Sequence, residues 1–276
     1  KRGETISELL LRYGQLRQQE AKQSQSSLFG FDDTQILDSA RPKIPSMPLW
    51  DNLTKLNRER ELVGMYLSAH PLDPYWLEVT HGVSCTAVEK NEIETPLEKP
   101  ITFAGMVVSV EERKTAGNLS MTIMKIEDFT GTTEITLFEK QKAEFSRLCV
   151  PGTAVCVTGN FRNVRNKITG VTNLRFSVES MRSLDGLKGN LLGDINITIT
   201  PDLAPALESA IDEEIAANRG KPVDEHAASV NITIFSPEHS RKLLFSTGIR
   251  LTLSRRFIEG LQKTGFEFTI DKKQIS

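Results

Sequence analysis

The stretch ITFAGMVVSVEERKTAGNLSMTIMKIEDFTGTTEITLF, residues 101–138, decides the fold. ITFAGMVVSVEERKT reads as one strand, AGN as a turn and LSMTIMKIED as a second strand. FTG then makes a tight turn into a third strand, TTEITLF. Working outward, EKQKAEFSRL (139–148) reads as a short helix and PGTAVCVTGNF (151–161) as a fourth strand. RNVRN (162–166) is a loop, and KITGVTNLRFSVE (167–179) is a fifth strand. The order is three strands, a helix and two strands within about 80 residues.

Short strands with Gly105, Gly159 and Gly170 in or beside them, and one helix between strands three and four, fit a small closed barrel. This is the five-stranded OB topology; a five-stranded sandwich is the alternative. Gly105 lets the first strand bend as closure requires. Before the barrel, Ile6, Leu9, Leu10, Tyr13 and Leu16 predict a helix over 4–22, and a second helix is expected from Asn52 to Leu67. After it, 181–193 reads as a linker or short helix. DINITIT, PDLAPALESAIDEEIAANRG, ASVNITIFSP, SRKLLFST, SRRFIEGLQKTG and FEFTI then alternate as strand, helix, strand, strand, helix, strand. The expected class is mixed: a helical linker, a five-stranded OB-fold β-barrel and a small C-terminal α+β domain. The expected divisions are 1–22, 23–48, 49–97, 98–180 and 181–276.

The 276 residues leave room for about two domains, and 38% apolar content with 25% charged content is ordinary for a globular chain. A net charge of -2 gives no global attraction to nucleic acid or anionic membrane, so local charge carries the information. Residues 98–180 hold 11 basic and 9 acidic side chains, the one third of the chain that is positive. Cys85, Cys149 and Cys156 form no CxxC and read as reduced structural thiols, in a cytoplasmic protein. No apolar run reaches membrane-spanning length. The first residues, KRGETISELLLRYG, lack a Met and read as part of a longer protein.

The sequence offers no catalytic or metal-binding pattern. His70, His81, His226 and His239 are widely spaced, and HExxH, CxxC, GxxxxGK[ST] and GxGxxG are missing. Asp32 and Asp33, or Glu127 and Asp128, are adjacent pairs that read as turn residues. Binding is better supported. The first barrel loop brings Arg113 and Lys114, and the loop between strands four and five brings Arg162, Arg165 and Lys167. Lys125 lies on strand two and Phe138 ends strand three. OB barrels use that face and those loops for single strands, with bases stacked on aromatics and phosphates on cations. Phe161 is expected in the core.

QSSLFGF, residues 25–31, sets Leu28, Phe29 and Phe31 in a tract of small polar residues without periodicity. Such aromatics either fold back on the chain or anchor it to another one.

Several stretches resemble one family. ELVGMYLSAHPLDPYW (61–76) is similar to the signature before the OB domain of bacterial replicative DNA polymerase III alpha subunits. SLFGF (27–31) and residues 101–140 resemble further segments of the same family. Ala69 and Met65 depart from the usual Gly and Phe of that signature. The resemblance implies that Gln25, Ser26, Ser27, Leu28 and Phe29 form a peptide that grips the sliding clamp (the beta subunit). It also implies that the barrel binds single-stranded DNA template and that 181–276 binds the tau subunit of the clamp loader. The parent would be a DNA-directed DNA polymerase whose Mg2+-binding carboxylates lie outside these residues, leaving this part non-catalytic and without a cofactor of its own. A free-standing OB-fold nucleic-acid-binding protein is the alternative.

Overall fold

The computed structural model describes residues 6–24, 49–114, 120–165, 170–219, 227–236 and 241–273. The chain forms two compact units, Lys1–Lys55 and Leu56–Ser276. Helix α1 (Ile6–Ser24) belongs to the first. Helix α2 (Asn52–Val63) stops short of the expected Leu67, because Gly64 adopts φ +86, a left-handed conformation that ends the helix.

Two short helices follow that periodicity does not reveal, α3 (Trp76–His81) and α4 (Ala87–Asn91). The turn before α3 is built by HPLD: Asp73 Oδ2 accepts from the His70 N–H at 2.8 Å, and His70 Nδ1 accepts from the Leu72 N–H at 3.1 Å. Helix α4 starts on a capping box. Thr86 Oγ1 accepts from the Glu89 N–H, and the Glu89 carboxylate accepts from the Thr86 N–H.

The barrel comprises β1 (Ile101–Lys114), β2 (Ser120–Glu127), β3 (Thr132–Phe138), α5 (Glu139–Phe145), β4 (Ala154–Arg165) and β5 (Thr172–Ser183). Every pairing is antiparallel, in the order β3-β2-β1-β4-β5. β1 serves both halves: Ile101–Met106 pair with β4, and Met106–Lys114 pair with β2. The change of partner occurs at Met106, which pairs with both Ala154 and Glu127; beside it a Cβ on Gly105 would stand 2.5 Å from the Glu127 carbonyl oxygen, and a bulge follows between Val107 and Ser109. Phe103, Val107, Met124, Ile126, Ile135, Leu137, Phe145, Val157, Phe161 and Phe176 fill the interior, so Phe161 is a core residue.

The last part is a four-stranded sheet under two helices, its strands lying side by side in the order Arg241–Leu251, Ala228–Ser236, Leu192–Ile199, Glu267–Lys272. β6 (Leu192–Ile199), α6 (Ala204–Ala217) and β7 (Ala228–Ser236) make a parallel crossover. β8 (Arg241–Leu251), α7 (Arg255–Thr264) and β9 (Glu267–Lys272) complete it. Ile195, Ile197 and Ile199 face Leu207 and Ile211 of α6 and Phe257, Ile258 and Leu261 of α7.

Residues 181–193, expected as a linker or short helix, hold a single helical turn over Asp185–Leu187 and are packed rather than linker-like. β5 continues to Ser183, and Leu184, Leu187 and Leu191 are buried with Leu72, Val79 and Val83 against Ala104, Met106 and Cys156 on the outside of the barrel. Among the described residues no helix is long and apolar enough to cross a membrane.

Candidate nucleic-acid interface

Alternation along the strands fixes which residues face outward. Met124 and Ile126 of β2 and Ile135 and Leu137 of β3 are buried inside, so Met121, Ile123, Lys125, Thr136 and Phe138 lie on the outer face. The register sets them in three rungs across β1, β2 and β3. These are Arg113, Met121 and Phe138; Glu111, Ile123 and Thr136; and Ser109, Lys125 and Glu134.

The first rung continues around the barrel. The Arg175 guanidinium of β5 lies over the Phe138 ring, 5.1 Å from its centroid, and Arg175 is paired across the ladder with Arg162 of β4. One belt of outward side chains therefore runs Arg113, Met121, Phe138, Arg175, Arg162. It joins the end of β1 to the end of β4, with a thioether and an aromatic ring between three guanidinium groups.

Arg175 was not singled out by the sequence, which drew attention to loop cations. Its signal is the alternation in NLRFSV: Phe176 and Val178 point inward, so Arg175 points out. The other expected residues divide as follows. Lys114 is exposed at the end of β1, and Lys125 is half-buried mid-face. Arg165 is exposed at the end of β4, where its Nε donates to the Gly170 carbonyl at 3.3 Å. Lys167 and the peptide Gln25, Ser26, Ser27, Leu28, Phe29 lie outside the described residues.

Several cations carry carboxylate partners. Arg113 meets Glu111 at 2.8 Å, Arg162 meets Glu179 at 2.8 Å, and Lys142 meets Glu112 at 2.6 Å. The Arg113–Glu111 side chains are 59% and 57% exposed, and such exposed pairs contribute only about 0–1 kcal/mol. A phosphate can replace either carboxylate at little cost.

The opposite end of the face is closed. Glu127 is held by Arg60 Nη2 at 2.6 Å, while Arg60 Nη1 donates to Tyr66 Oη at 3.0 Å. His70 packs beside them, its ring 4.7 Å from Phe129 and 5.3 Å from Tyr66, and burial lowers its pKa. His70 is thus a brace for the turn. Among the described residues no group of three His, Cys, Asp or Glu side chains is placed to hold a metal ion.

Comparison with known proteins agrees with this fold. A family described as an OB-fold nucleic acid binding domain matches residues 101–184. The DNA polymerase III subunit alpha of Vibrio cholerae is 24% identical over 242 residues, 87% of this chain and 20% of that protein. The corresponding subunit of Xylella fastidiosa strain Temecula1 is 33% identical over 159 residues, 52% of this chain and 13% of that protein. A solved structure of the mitochondrial single-stranded DNA binding protein Rim1 from S. cerevisiae is 20% identical. It covers 31% of this chain and 93% of that chain, with a TM-score of 0.25, a likeness too small to add to the fold.

The chain spans about a fifth or less of the length of the curated relatives it matches. A match of 242 residues necessarily reaches from before the barrel into the last sheet. The OB fold and the family resemblance expected from the sequence are both borne out.

Proposed function

We propose that this chain, a relative of bacterial DNA polymerase III alpha subunits over most of its length, is a non-catalytic part of a replicative polymerase whose barrel holds single-stranded DNA. The observation that carries this reading is the belt Arg113, Met121, Phe138, Arg175, Arg162. Three guanidinium groups spaced around an aromatic ring match a backbone with bases to stack. Phe138 is already covered by a planar cation, so a base either replaces Arg175 on the ring or stacks on the guanidinium. Each base stacked on an aromatic contributes about 1–3 kcal/mol. Binding of this kind is independent of sequence and sensitive to salt.

The test is a salt titration of oligo-dT binding to the chain and to its Arg113→Ala, Arg162→Ala, Arg175→Ala triple variant. Each lost phosphate contact removes about 0.7 from the log–log slope, so the slope should flatten by about 2. An unchanged slope puts the strand elsewhere.

The peptide Gln25 to Phe29 supplies the second proposed contact. Gln25, Leu28 and Phe29 carry the pattern expected of a sliding-clamp anchor, with Leu28 and Phe29 filling an apolar pocket on the clamp. Weak anchoring by this peptide and weak binding by the barrel would reinforce each other through effective concentration. Loss of clamp binding in a Leu28→Ala, Phe29→Ala variant tests that contact, and unchanged affinity refutes it. Docking of a clamp-loader subunit by residues 181–276, and polymerase activity of a longer parent protein, rest on the resemblance alone.

A further inference from the structure

The two edges of the last sheet are treated differently. β9 is short, and its six residues, EFTIDK, include Glu267, Asp271 and Lys272. Charges of this kind guard an edge against pairing. β8 forms the opposite edge and is nearly twice as long. Its first six residues, RKLLFS, run in unbroken register with Ser236 to Asn231 of β7. The irregularity that would blunt this edge comes only later, between Ser229 and Asn231 of β7, opposite Gly248 at φ +70. Within the regular stretch Leu243 is 57%, Leu244 73% and Phe245 47% exposed.

The pairing shows where those side chains lie. Leu243 stands opposite Ile234 and Phe245 opposite Ile232, and both isoleucines pack against the helix-covered core. Leu243 and Phe245 thus extend the core side of the sheet beyond the cover of α6 and α7. Leu244 lies on the other side. One more strand beside β8 would continue the core over Leu243 and Phe245 and cover Leu244 as well.

We infer that the Arg241–Ser246 edge of β8 is a docking site for an extended segment of another protein, apolar at its centre and acidic where it passes Lys242, added as a fifth strand. Main-chain hydrogen bonds would supply affinity, and alternate apolar side chains beside Leu243 and Phe245 would supply fit. The charge preference follows from the strand itself. The edge stretch RKLLFS holds Arg241 and Lys242 and no carboxylate, and Lys242 is exposed. A second copy is a poorer occupant, since self-pairing sets two basic strands side by side. The inference concerns the last sheet alone and does not depend on the barrel's reading.

The test uses the whole chain and two synthetic nine-residue peptides with the same alternating valine–threonine centre, one flanked by aspartates and the other by lysines. Binding is followed by fluorescence anisotropy and by amide hydrogen exchange at 241–246. The aspartate peptide should bind and slow exchange there. A Leu244→Asp, Phe245→Asp variant should lose at least about tenfold in affinity, equivalent to 1.4 kcal/mol, with oligo-dT binding unchanged. Both positions are exposed, but should that variant misfold, Lys242→Glu gives the same test through charge. No binding of the aspartate peptide at millimolar concentration would overturn the inference. So would equal binding of both peptides, or concentration-dependent dimerisation that the double variant abolishes.

Discussion

Lys90 provides a quantitative test of how the barrel is closed. Its side chain is only 4% exposed, yet it ends among rings: Nζ lies 4.8 Å from the Phe176 centroid, 5.4 Å from Phe103 and 5.8 Å from Phe161. Nζ donates to Thr133 Oγ1 at 2.9 Å and to the Glu134 carbonyl at 3.1 Å. Burial lowers its pKa from 10.5 to about 8, against a smaller opposing pull from Cys85 and Glu134. Between those values the unfolded chain binds the proton more tightly than the folded one, so stability must rise with pH across that window. The charged form carries its full penalty below pH 8 and loses it as pH climbs toward 10.5. At 1.36 kcal/mol per pKa unit the penalty is about 3 kcal/mol.

Urea unfolding of the wild type and of Lys90→Met, taken at pH 7, 8, 9 and 10, isolates the effect, because other titrating groups cancel in the difference. The upper limit keeps Cys85 largely protonated, since burial raises its thiol pKa to about 11. Wild type should gain about 2–3 kcal/mol on the methionine variant from pH 7 to pH 10. A flat difference would show that Lys90 is solvated and that the ring of phenylalanines does not enclose it.

Three further outcomes follow from single contacts. Gly105→Ala should cost about 1–3 kcal/mol by overpacking, because the new Cβ meets the Glu127 carbonyl oxygen at 2.5 Å and Ile126 Cγ2 at 2.8 Å; thermal unfolding measures it, and an unchanged midpoint would refute the tight bend. Asp128→Ala removes the acceptor for the N–H groups of Ala87, Thr130 and Gly131 and for the Thr130 hydroxyl. The cost should be roughly 2–4 kcal/mol, from donors left unpaired, with faster hydrogen exchange in α4 as the specific sign. Phe138→Leu keeps an apolar side chain but removes the aromatic face, so oligo-dT affinity should fall by about 1–3 kcal/mol while the salt slope holds.

The barrel was legible because its strands alternate and its helix falls at the one place an OB barrel allows. The turn chemistry of EDFTG also read correctly: Asp128 Oδ1 accepts from Thr130 and Gly131 as an Asx turn does. What it concealed is that the other oxygen, Oδ2, accepts from the Ala87 N–H at 2.7 Å and ties α4 to the barrel. Helices of five or six residues such as α3 and α4 show too little periodicity to be read. Lys90 is hidden in the sequence because a lysine ordinarily seeks water, and Arg175 because a cation on a strand's outer side looks like any solvated charge. In 181–193, Leu184, Leu187 and Leu191 recur at i, i+3 and i+7, a spacing that suits a short helix, yet only Asp185–Leu187 forms a helical turn, and the three leucines are gathered by tertiary packing.

That packing bears on how the two proposed binding surfaces would act together. The turn at His70–Asp73 and helix α3 form a wedge with two working faces. Leu72 and Val79 sit on the outside of β1 and β4, while Trp76 and Leu77 pack against the core of the last sheet. The wedge is fastened on its second side by Arg255, whose guanidinium lies 5.0 Å over the Trp76 ring and 3.2 Å from Asp73 Oδ1. His81 adds a ring contact 6.0 Å from Phe268. Residues 72–81 join the barrel to the sheet through apolar faces, with Arg255 fastening one side, and a joint of this kind would hold the proposed strand site of the barrel in a defined relation to the proposed docking edge of the sheet.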